Sequence, residues 1–511
     1  MLSKLYSGAL IGAEATTVEV EVNSGQKGEA KIFIVGLPDT AVKESIDRVS
    51  AAIVNTGFEM PSTKITINLA PSDIRKEGST YDLPIALGIL MSTGYVAQKQ
   101  VQDYIIAGEL SLSGALRPVK GAISLALLAR KLGMRGVILP SQSAKEALLV
   151  DNIEVRSANS LEEICNFFDG KEELEILPND NSVLEDRCLE YGEDFADVKG
   201  QEVAKRAVEV AVAGSHNILM MGSPGSGKSM IAKRIPSIMP LPSKEEFLET
   251  LGIYSACGMS EKILGRSFAR PFRSPHHSIS DVGLIGGGSN PKPGEISLAH
   301  NGVLFLDEFP EFKRSVLELL RQPLEDGNVC ISRAMAKVEL KSNFMLVAAM
   351  NPCPCGYFGD RHKKCHCSLS QIQRYQSKIS GPLTDRIDIH IKTTALTLSE
   401  LSKARQGESS QSIRERITTA RQIQAERFKD EKFASAAKDN SNMNPAQIRK
   451  YCQLGKEQTQ LLERAMTELK LSARAWNKII KVSRTIADLE ASHNIEPMHI
   501  LEAINYRNIG A

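Results

Sequence analysis

The chain has 511 residues, too many for one ordinary core at roughly 100 to 200 residues per domain, and its 42% hydrophobic and 24% charged content is that of a folded protein. Its 62 basic residues nearly cancel 61 acidic ones, which excludes a polybasic or polyacidic chain but leaves room for a basic lining within a neutral assembly. The most apolar stretch, Leu83 to Met91, is far below the roughly 18 to 20 residues of a membrane span and is interrupted by Pro84, so no membrane partner is predicted.

Met1 to Ala15 carries one lysine and a short apolar stretch that runs into the alternation of Val18 to Val22, unlike a secretory signal, and a cytoplasmic location is expected. From there to about residue 170, β-rich runs (Val18 to Val22, Lys31 to Val35, Lys64 to Leu69, Tyr104 to Ile106, Val137 to Leu139) alternate with helical patterns near 40 to 56, 82 to 92 and 121 to 132. That alternation predicts an α/β domain over 1–170. Residues 171–197 are acidic, with Glu172, Glu173, Glu175, Glu185, Asp186, Glu190, Glu193 and Asp194, and read as a linker. A second α/β region spans 198–392, beginning with a helix at about 201 to 213 and the apolar strand Ile218 to Met221. Beyond it the pattern over 393–511 is helical and predicts a lid.

The run Gly222-Ser223-Pro224-Gly225-Ser226-Gly227-Lys228-Ser229 follows that apolar strand and precedes the helix-compatible Met230 to Ile235, the context that a G-x-x-x-x-G-K-S phosphate loop requires. Its glycines let successive backbone N–H groups face the phosphates of ATP. Lys228 supplies positive charge at the β- and γ-phosphates, and Ser229 supplies a hydroxyl for Mg²⁺. Downstream, Gly302-Val-Leu-Phe-Leu-Asp307-Glu308 predicts a buried strand ending in two carboxylates. Asp307 is assigned to the Mg²⁺ shell and Glu308 to the attacking water. A third apolar strand, Phe344 to Met350, delivers Asn351, whose neutral amide can orient water against the γ-phosphate. Arg386 and Arg474 complete the set as candidate fingers, since a guanidinium from a neighbouring subunit can stabilise charge on the transferring phosphoryl, with a surface ion pair as the alternative for either.

Between the second and third strands, Val329-Cys-Ile-Ser-Arg333-Ala-Met-Ala-Lys337-Val-Glu-Leu-Lys341 reads as a β-hairpin with Arg333 and Lys337 flanking its tip. In a ring, such cations can grip a phosphate backbone with little sequence preference. A solvated hairpin edge guarded by charge is the alternative. The segment from Ser274 to Asn290 is a second insertion, and its His276 and His277 are read as loop histidines. Nine cysteines, an odd number with four bunched, do not form a disulfide framework. The pairs Cys353-Pro-Cys355 and Cys365-His-Cys367 can instead converge on one tetrahedral, structural Zn²⁺, with His362 and His366 as spare ligands and reduced, metal-free thiols as the alternative.

The block Pro271-Phe-Arg-Ser-Pro-His-His-Ser278, followed by Gly286-Gly-Gly, Pro293-Gly-Glu-Ile-Ser-Leu298 and Asn301 to Glu308, closely resembles the Mg-chelatase-like AAA+ ATPases of the ComM (YifB) type, essentially end to end. The resemblance implies a P-loop AAA+ module with two inserted hairpins, an amino-terminal Lon-protease-like α/β domain and a carboxy-terminal helical lid, working as a homo-hexameric ring. It casts Asn351 as sensor 1, Arg386 as the arginine finger and Arg474 as the sensor 2 arginine. It further implies a DNA helicase that drives branch migration on single-stranded and branched DNA during natural transformation, alongside recombination proteins. A chelatase-type motor acting on a protein partner is the second reading. Proteolysis is the third and weakest, because in the Lon-like comparison Thr80 stands at the nucleophile position and Ile123 where an activating lysine should be.

Overall fold

The computed structural model describes residues 1–27, 31–179, 192–261, 269–288, 291–333, 336–360, 362–396, 400, 407–429, 439–469 and 471–507, with the side chains of 26, 27, 332, 333, 336 and 337 not included. Part of the acidic segment, residues 180–191, therefore lies outside the described residues.

The amino-terminal region is built on an eight-stranded mixed sheet. Its order is Ile176–Leu177, Glu154–Ala158, Gly136–Pro140, Tyr104–Ile106, Leu2–Ile11, Glu14–Lys27, Thr63–Ala70 and Ile32–Val35. The apolar residues Val18, Val20, Val22, Ile65, Ile67 and Leu69 alternate with polar neighbours and are buried, as one solvated and one packed face require. On that packed face lies the helix Asp82–Thr93, apolar all round and buried from Asp82 to Ser92. The first strand, Leu2–Ile11, has no distinguishing sequence pattern. It sits centrally, paired with Glu14–Lys27 on one side and Tyr104–Ile106 on the other, and helices meet both of its faces, through Ser3 on Gly88 O and Gly8 against Leu125, so it lacks a clean alternation.

The second region carries a five-stranded parallel sheet in the order Phe272–Arg273, Val303–Leu306, Met345–Met350, Ile218–Gly222, Ile389–Thr393. Parallel strands are covered on both faces, which explains the unbroken apolar runs Val303–Leu306 and Met345–Met350, all buried. The helices Glu202–Gly214 and Lys228–Ile238 cover one face. The segments Arg314–Leu319 and Leu369–Gln376 and the hairpin base cover the other. Ile218–Gly222 comes first in the chain but lies fourth across the sheet, and its neighbours are the last two strands. Such a reversal of strand order opens a crevice at the carboxyl ends of the strands.

The two regions share apolar packing, since Phe247, Leu248 and Leu251 of the helix Lys244–Ala256 join the cluster around Leu125, Leu128 and Val137. That helix starts in a capping box between Ser243 and Glu246. The carboxy-terminal helices Ser410–Phe428, Pro445–Tyr451, Lys456–Glu468, Ala473–Leu489 and Pro497–Asn505 pack on the Glu202–Gly214 side of the parallel sheet. Ile417, Ile479 and Ile486 share its core, and charge adds to that packing. Buried Asp388 accepts from Lys478 Nζ at 2.6 Å and from the backbone N–H of Asn217 at 3.1 Å, and Arg206 donates to Glu502 at 3.0 Å. Burial opposes charge on Asp388, but Lys478 and His216 outweigh it and hold its carboxyl well below the usual range. Among the described residues no helix is long and apolar enough to cross a membrane.

Candidate active site

The strand Ile218–Gly222 ends where the chain must curl back into the helix Lys228–Ile238. Gly225 and Gly227 adopt positive φ of 79° and 84°, a conformation that side-chain-bearing residues resist, and Gly227 caps the helix. The curl aims the helix N-terminus, with its free N–H groups, into the crevice. Lys228 folds back over the loop, its Nζ donating to Gly222 O at 2.7 Å, Ser223 O at 3.1 Å and Ser226 Oγ at 3.4 Å. Burial pushes this ammonium below the ordinary lysine range, partly opposed by Asp307. An anion arriving here meets a charge already desolvated and positioned.

Two contacts tie the neighbouring strands to this loop. Ser229 Oγ donates to Asp307 Oδ2 at 2.7 Å, and Lys228 Nζ donates to Asn351 Oδ1 at 3.3 Å. The structure thus brings Lys228, Ser229, Asp307 and Asn351 together from three strands. Serine hydroxyl and carboxylate in contact form an all-oxygen pair suited to Mg²⁺, which takes few protein ligands and keeps several waters. Glu308 takes φ of +51°, the left-handed region, while its N–H donates to Asp307 Oδ1 at 2.8 Å. This turn sends the two consecutive carboxylates in different directions. Glu308 Oε2 lies 3.2 Å from His277 Nδ1. That contact joins the Ser274 to Asn290 insertion to the site and is not legible in the sequence, where His277 reads as a loop residue.

Arg386 and Arg474 stand elsewhere. Both line a cavity of about 590 Å³ between the parallel sheet and the carboxy-terminal helices, and among the described residues none from Gly222 to Ser229 lines it. Arg386 pairs with Glu325 and donates to Pro382 O at 2.8 Å, while its Nε is buried without a partner. Arg474 is exposed at the start of Ala473–Leu489. Within one chain, therefore, these arginines are together but not at the phosphate loop. Arg333 and Lys337 belong to an antiparallel ladder of Asn328–Arg333 with Ala336–Lys341, but their side chains and residues 334 and 335 lie outside the described residues.

The four cysteines converge. Cys353 Sγ lies 3.4 Å from Cys355 Sγ and 3.7 Å from Cys365 Sγ, Cys355 and Cys365 are 3.6 Å apart, and all four sulfurs including that of Cys367 fall within 4.8 Å of one another. Zinc–sulfur bonds of about 2.3 Å in a tetrahedron give a sulfur–sulfur edge of about 3.8 Å, so the cluster fits that ion and is far too open for a disulfide. The backbone N–H groups of His366 and Tyr357 lower the Cys355 thiol to about 6. Cys365 goes the other way: the N–H of Cys367 favours its thiolate, but burial and the sulfurs of Cys355 and Cys353 push it up to about 12. One thiolate forms readily and the next is resisted, which is the situation a cation relieves. The spare histidines His362 and His366 are exposed and outside the cluster. This loop leans on the phosphate loop: a Cβ on Gly356 would come within 2.6 Å of Pro224 Cδ, and Asp360 accepts from the Ser223 hydroxyl.

In the amino-terminal region Ile123 is fully buried at the start of the helix Ala122–Lys131, and the hydroxyl beside Thr80, that of Ser79, donates to Glu109. The Ile123 side chain belongs to the apolar core and carries no amine that could activate a hydroxyl.

The model of magnesium chelatase subunit ChlI matches residues 194–401, that of subunit ChlI of Mg-chelatase matches 18–143, and that of the ChlI carboxy-terminal region matches 407–507. The chain is 43% identical over 509 residues to the uncharacterized protein YifB of Escherichia coli, covering 99% of this chain and 97% of that one. It is 42% identical over 513 residues to the competence protein ComM of Haemophilus influenzae, with the same coverage. Lon protease 2 of Bacillus subtilis is 27% identical over 146 residues, 27% of this chain and 26% of that protein. With the parallel sheet, its phosphate loop and the carboxy-terminal helices in view, the chain belongs to the ComM/YifB-type family of magnesium-chelatase-like AAA+ proteins.

Proposed function

We propose that this protein is an ATP-driven motor that assembles as a homo-hexameric ring, acts as a DNA helicase on single-stranded and branched DNA, and promotes branch migration as incoming DNA is recombined during natural transformation. The observation that carries the ATPase part is the junction of three strand ends, with Ser229 on Asp307 and Lys228 on Asn351. The competence protein ComM among its relatives supports the DNA part. In this reading the backbone N–H groups of Ser223 to Ser229 and Lys228 hold the β- and γ-phosphates of ATP, and Ser229 with Asp307 holds Mg²⁺, which neutralises charge on the phosphates. Glu308 polarises the attacking water and Asn351 orients it. Arg386 and Arg474, placed away from their own phosphate loop, serve the nucleotide of the adjacent subunit, so turnover requires the ring.

Cys353, Cys355, Cys365 and Cys367 hold a structural Zn²⁺ that braces the loop against Pro224 and Ser223. Four thiolates leave no open position for catalysis. The reading sets the protein in the cytoplasm with recombination proteins as partners, and Arg333 and Lys337 on the DNA. The match to magnesium chelatase subunits favours a second reading, a remodelling ATPase that acts on a protein partner. The experiment that separates them measures ATP turnover with and without forked DNA, and movement of the branch point in a strand-exchange substrate. Stimulation and branch movement support the motor, whereas indifference to DNA leaves only the remodelling ATPase.

A further inference from the structure

The hairpin of Asn328–Arg333 and Ala336–Lys341 is, among the described residues, a two-stranded sheet of its own, separate from both large sheets. Two antiparallel strands alone are only marginally stable, so what the hairpin leans on decides where it stands. Its register pairs Val329 with Leu340 and Ile331 with Val338, which places four apolar side chains on one face, all of them buried.

Two supports hold this base, and both lead to the amino-terminal region. Against the apolar face stands the turn between the strands Leu2–Ile11 and Glu14–Lys27. Gly12 takes φ of +66° there, and a Cβ on it would lie 2.6 Å from Leu340 Cδ2 and 2.8 Å from Val338 Cγ1, so bare backbone is seated on the hairpin. Ile11 packs into the same cluster, and Ala13 O accepts from Ser124 Oγ of the helix Ala122–Lys131 at 2.8 Å, which anchors the turn within its own region. Strand alternation turns Lys341 to the opposite face, where its Nζ donates to Glu249 Oε1 at 2.8 Å. Glu249 Oε2 lies 3.2 Å from His300 Nε2, and these two contacts hold its carboxyl well below the usual range. Glu249 belongs to the helix Lys244–Ala256, whose Phe247, Leu248 and Leu251 pack into the amino-terminal cluster.

We infer that Gly12 is a positioning residue for this hairpin: the amino-terminal region sets the hairpin's stance through the Gly12 seat and the Glu249–Lys341 contact, and so takes part in the grip on DNA instead of serving as a passive scaffold. The inference rests on the reading of the hairpin as the DNA contact. It gives the missing side chain at residue 12 a purpose, because any larger residue must tilt the hairpin or lift the turn from it. It also makes the helix Lys244–Ala256 and the turn at Gly12 a single clamp, closed on both faces of the hairpin base.

The test uses the full chain and compares wild type with Gly12→Leu, Leu340→Ala and the double variant Gly12→Leu/Leu340→Ala, which carries the isobutyl group across the contact and keeps its volume. Backbone hydrogen exchange over Asn328 to Lys341 should quicken by at least about fivefold in Gly12→Leu, the factor that overpacking a seated contact supplies, and return to within about twofold of wild type in the double variant. In steady-state ATP hydrolysis the concentration of forked DNA at half-maximal stimulation should rise by the same factor in Gly12→Leu, with DNA-free kcat and the KM for ATP unchanged. Left-handed strain at residue 12 is equal in the single and double variants, so rescue identifies the contact itself. Gly12→Ala, a smaller wedge, should show the same shifts to a lesser extent and keeps the test open if Gly12→Leu does not fold. Wild-type exchange or an unchanged DNA requirement in the Gly12 variants, or a double variant as altered as the single one, overturns the positioning role. The DNA reading fails separately: wild-type stimulation by forked DNA in Arg333→Ala/Lys337→Ala overturns the hairpin as the DNA contact, while the exchange data still decide what Gly12 does.

Discussion

Replacing Lys228 by methionine separates its role in nucleotide binding from any role in folding. The ammonium is only 8% exposed and is held by Gly222, Ser223, Ser226 and Asn351 within the chain. Methionine removes a desolvated charge but leaves the Gly222 and Ser223 carbonyls without their donor, so the nucleotide-free protein should lose only about 1 to 3 kcal/mol. With Mg²⁺–ATP at about one hundred times its dissociation constant, wild type should gain about 2.7 kcal/mol, a rise of roughly 5 to 11 °C for a unit of this size. Loss of a charge-assisted contact to phosphate, about 2 to 3 kcal/mol, weakens binding about a hundredfold and leaves a gain of only about 0.4 kcal/mol at the same ATP concentration. Differential scanning calorimetry with and without Mg²⁺–ATP reads both quantities. An equal ATP-induced rise in the two proteins would refute the placement of phosphate at Lys228, and a nucleotide-free loss beyond that range would show the lysine to be a structural residue.

Other consequences follow from separate parts of the molecule. Elemental analysis of purified protein should find one zinc per chain in wild type and a large loss in Cys365→Ser, and full occupancy in the variant would rule out the four-cysteine site. The same variant should bind ATP more weakly, since Gly356 and Asp360 of that loop touch Pro224 and Ser223. His390 is buried beneath the positive charges of Arg507 and Lys478, and burial above all lowers its imidazole to about 3. Its folded pKa lies below the unfolded value, so its contribution is complete above about pH 6.5 and is lost as pH falls toward 3, by about 2 kcal/mol at pH 5. Urea midpoints at pH 7 and pH 5 should therefore differ less in His390→Gln than in wild type, and an unchanged difference would contradict the buried neutral ring. Finally, Arg386→Ala and Lys228→Met should each be inactive alone, but an equal mixture should regain activity at about one interface in four, because the proposed ring draws finger and phosphate loop from different subunits. A mixture as silent as its parts would place Arg386 in its own subunit's chemistry.

What can be read from the sequence is the chemistry that needs contiguous residues. Gly222 to Ser229 and the strand ending in Asp307-Glu308 are local signals, because the loop must curl within a few residues and the strand must be apolar to be buried on both faces. The convergence of the four cysteines is equally local. Meeting across strands is less legible. The contact of His277 with Glu308 depends on a two-residue edge strand, Phe272–Arg273, too short to leave a period in the sequence. The strand Ile389–Thr393, which flanks the phosphate-loop strand, likewise gives no clear signal, since polar His390 and Lys392 break its apolar run. Leu2–Ile11 escapes for a different reason, being met by helices on both faces of its sheet, through Ser3 on Gly88 and Gly8 against Leu125. The joint cavity of Arg386 and Arg474 depends on how the carboxy-terminal helices dock, which rests on apolar packing and on the Asp388–Lys478 contact between distant segments rather than on any motif.

In the proposed chemistry Glu308 directs water at a nucleotide gripped by Lys228, with its metal held through Asp307 and Ser229. The most direct test of that chemistry is ATP hydrolysis by the assembled wild type and by Glu308→Gln, with ATP binding measured on the same samples. Glu308→Gln should bind ATP as tightly as wild type while turnover falls by roughly 10²- to 10⁴-fold, the range for removal of a positioned general base. Turnover at the wild-type rate in Glu308→Gln would contradict the assignment.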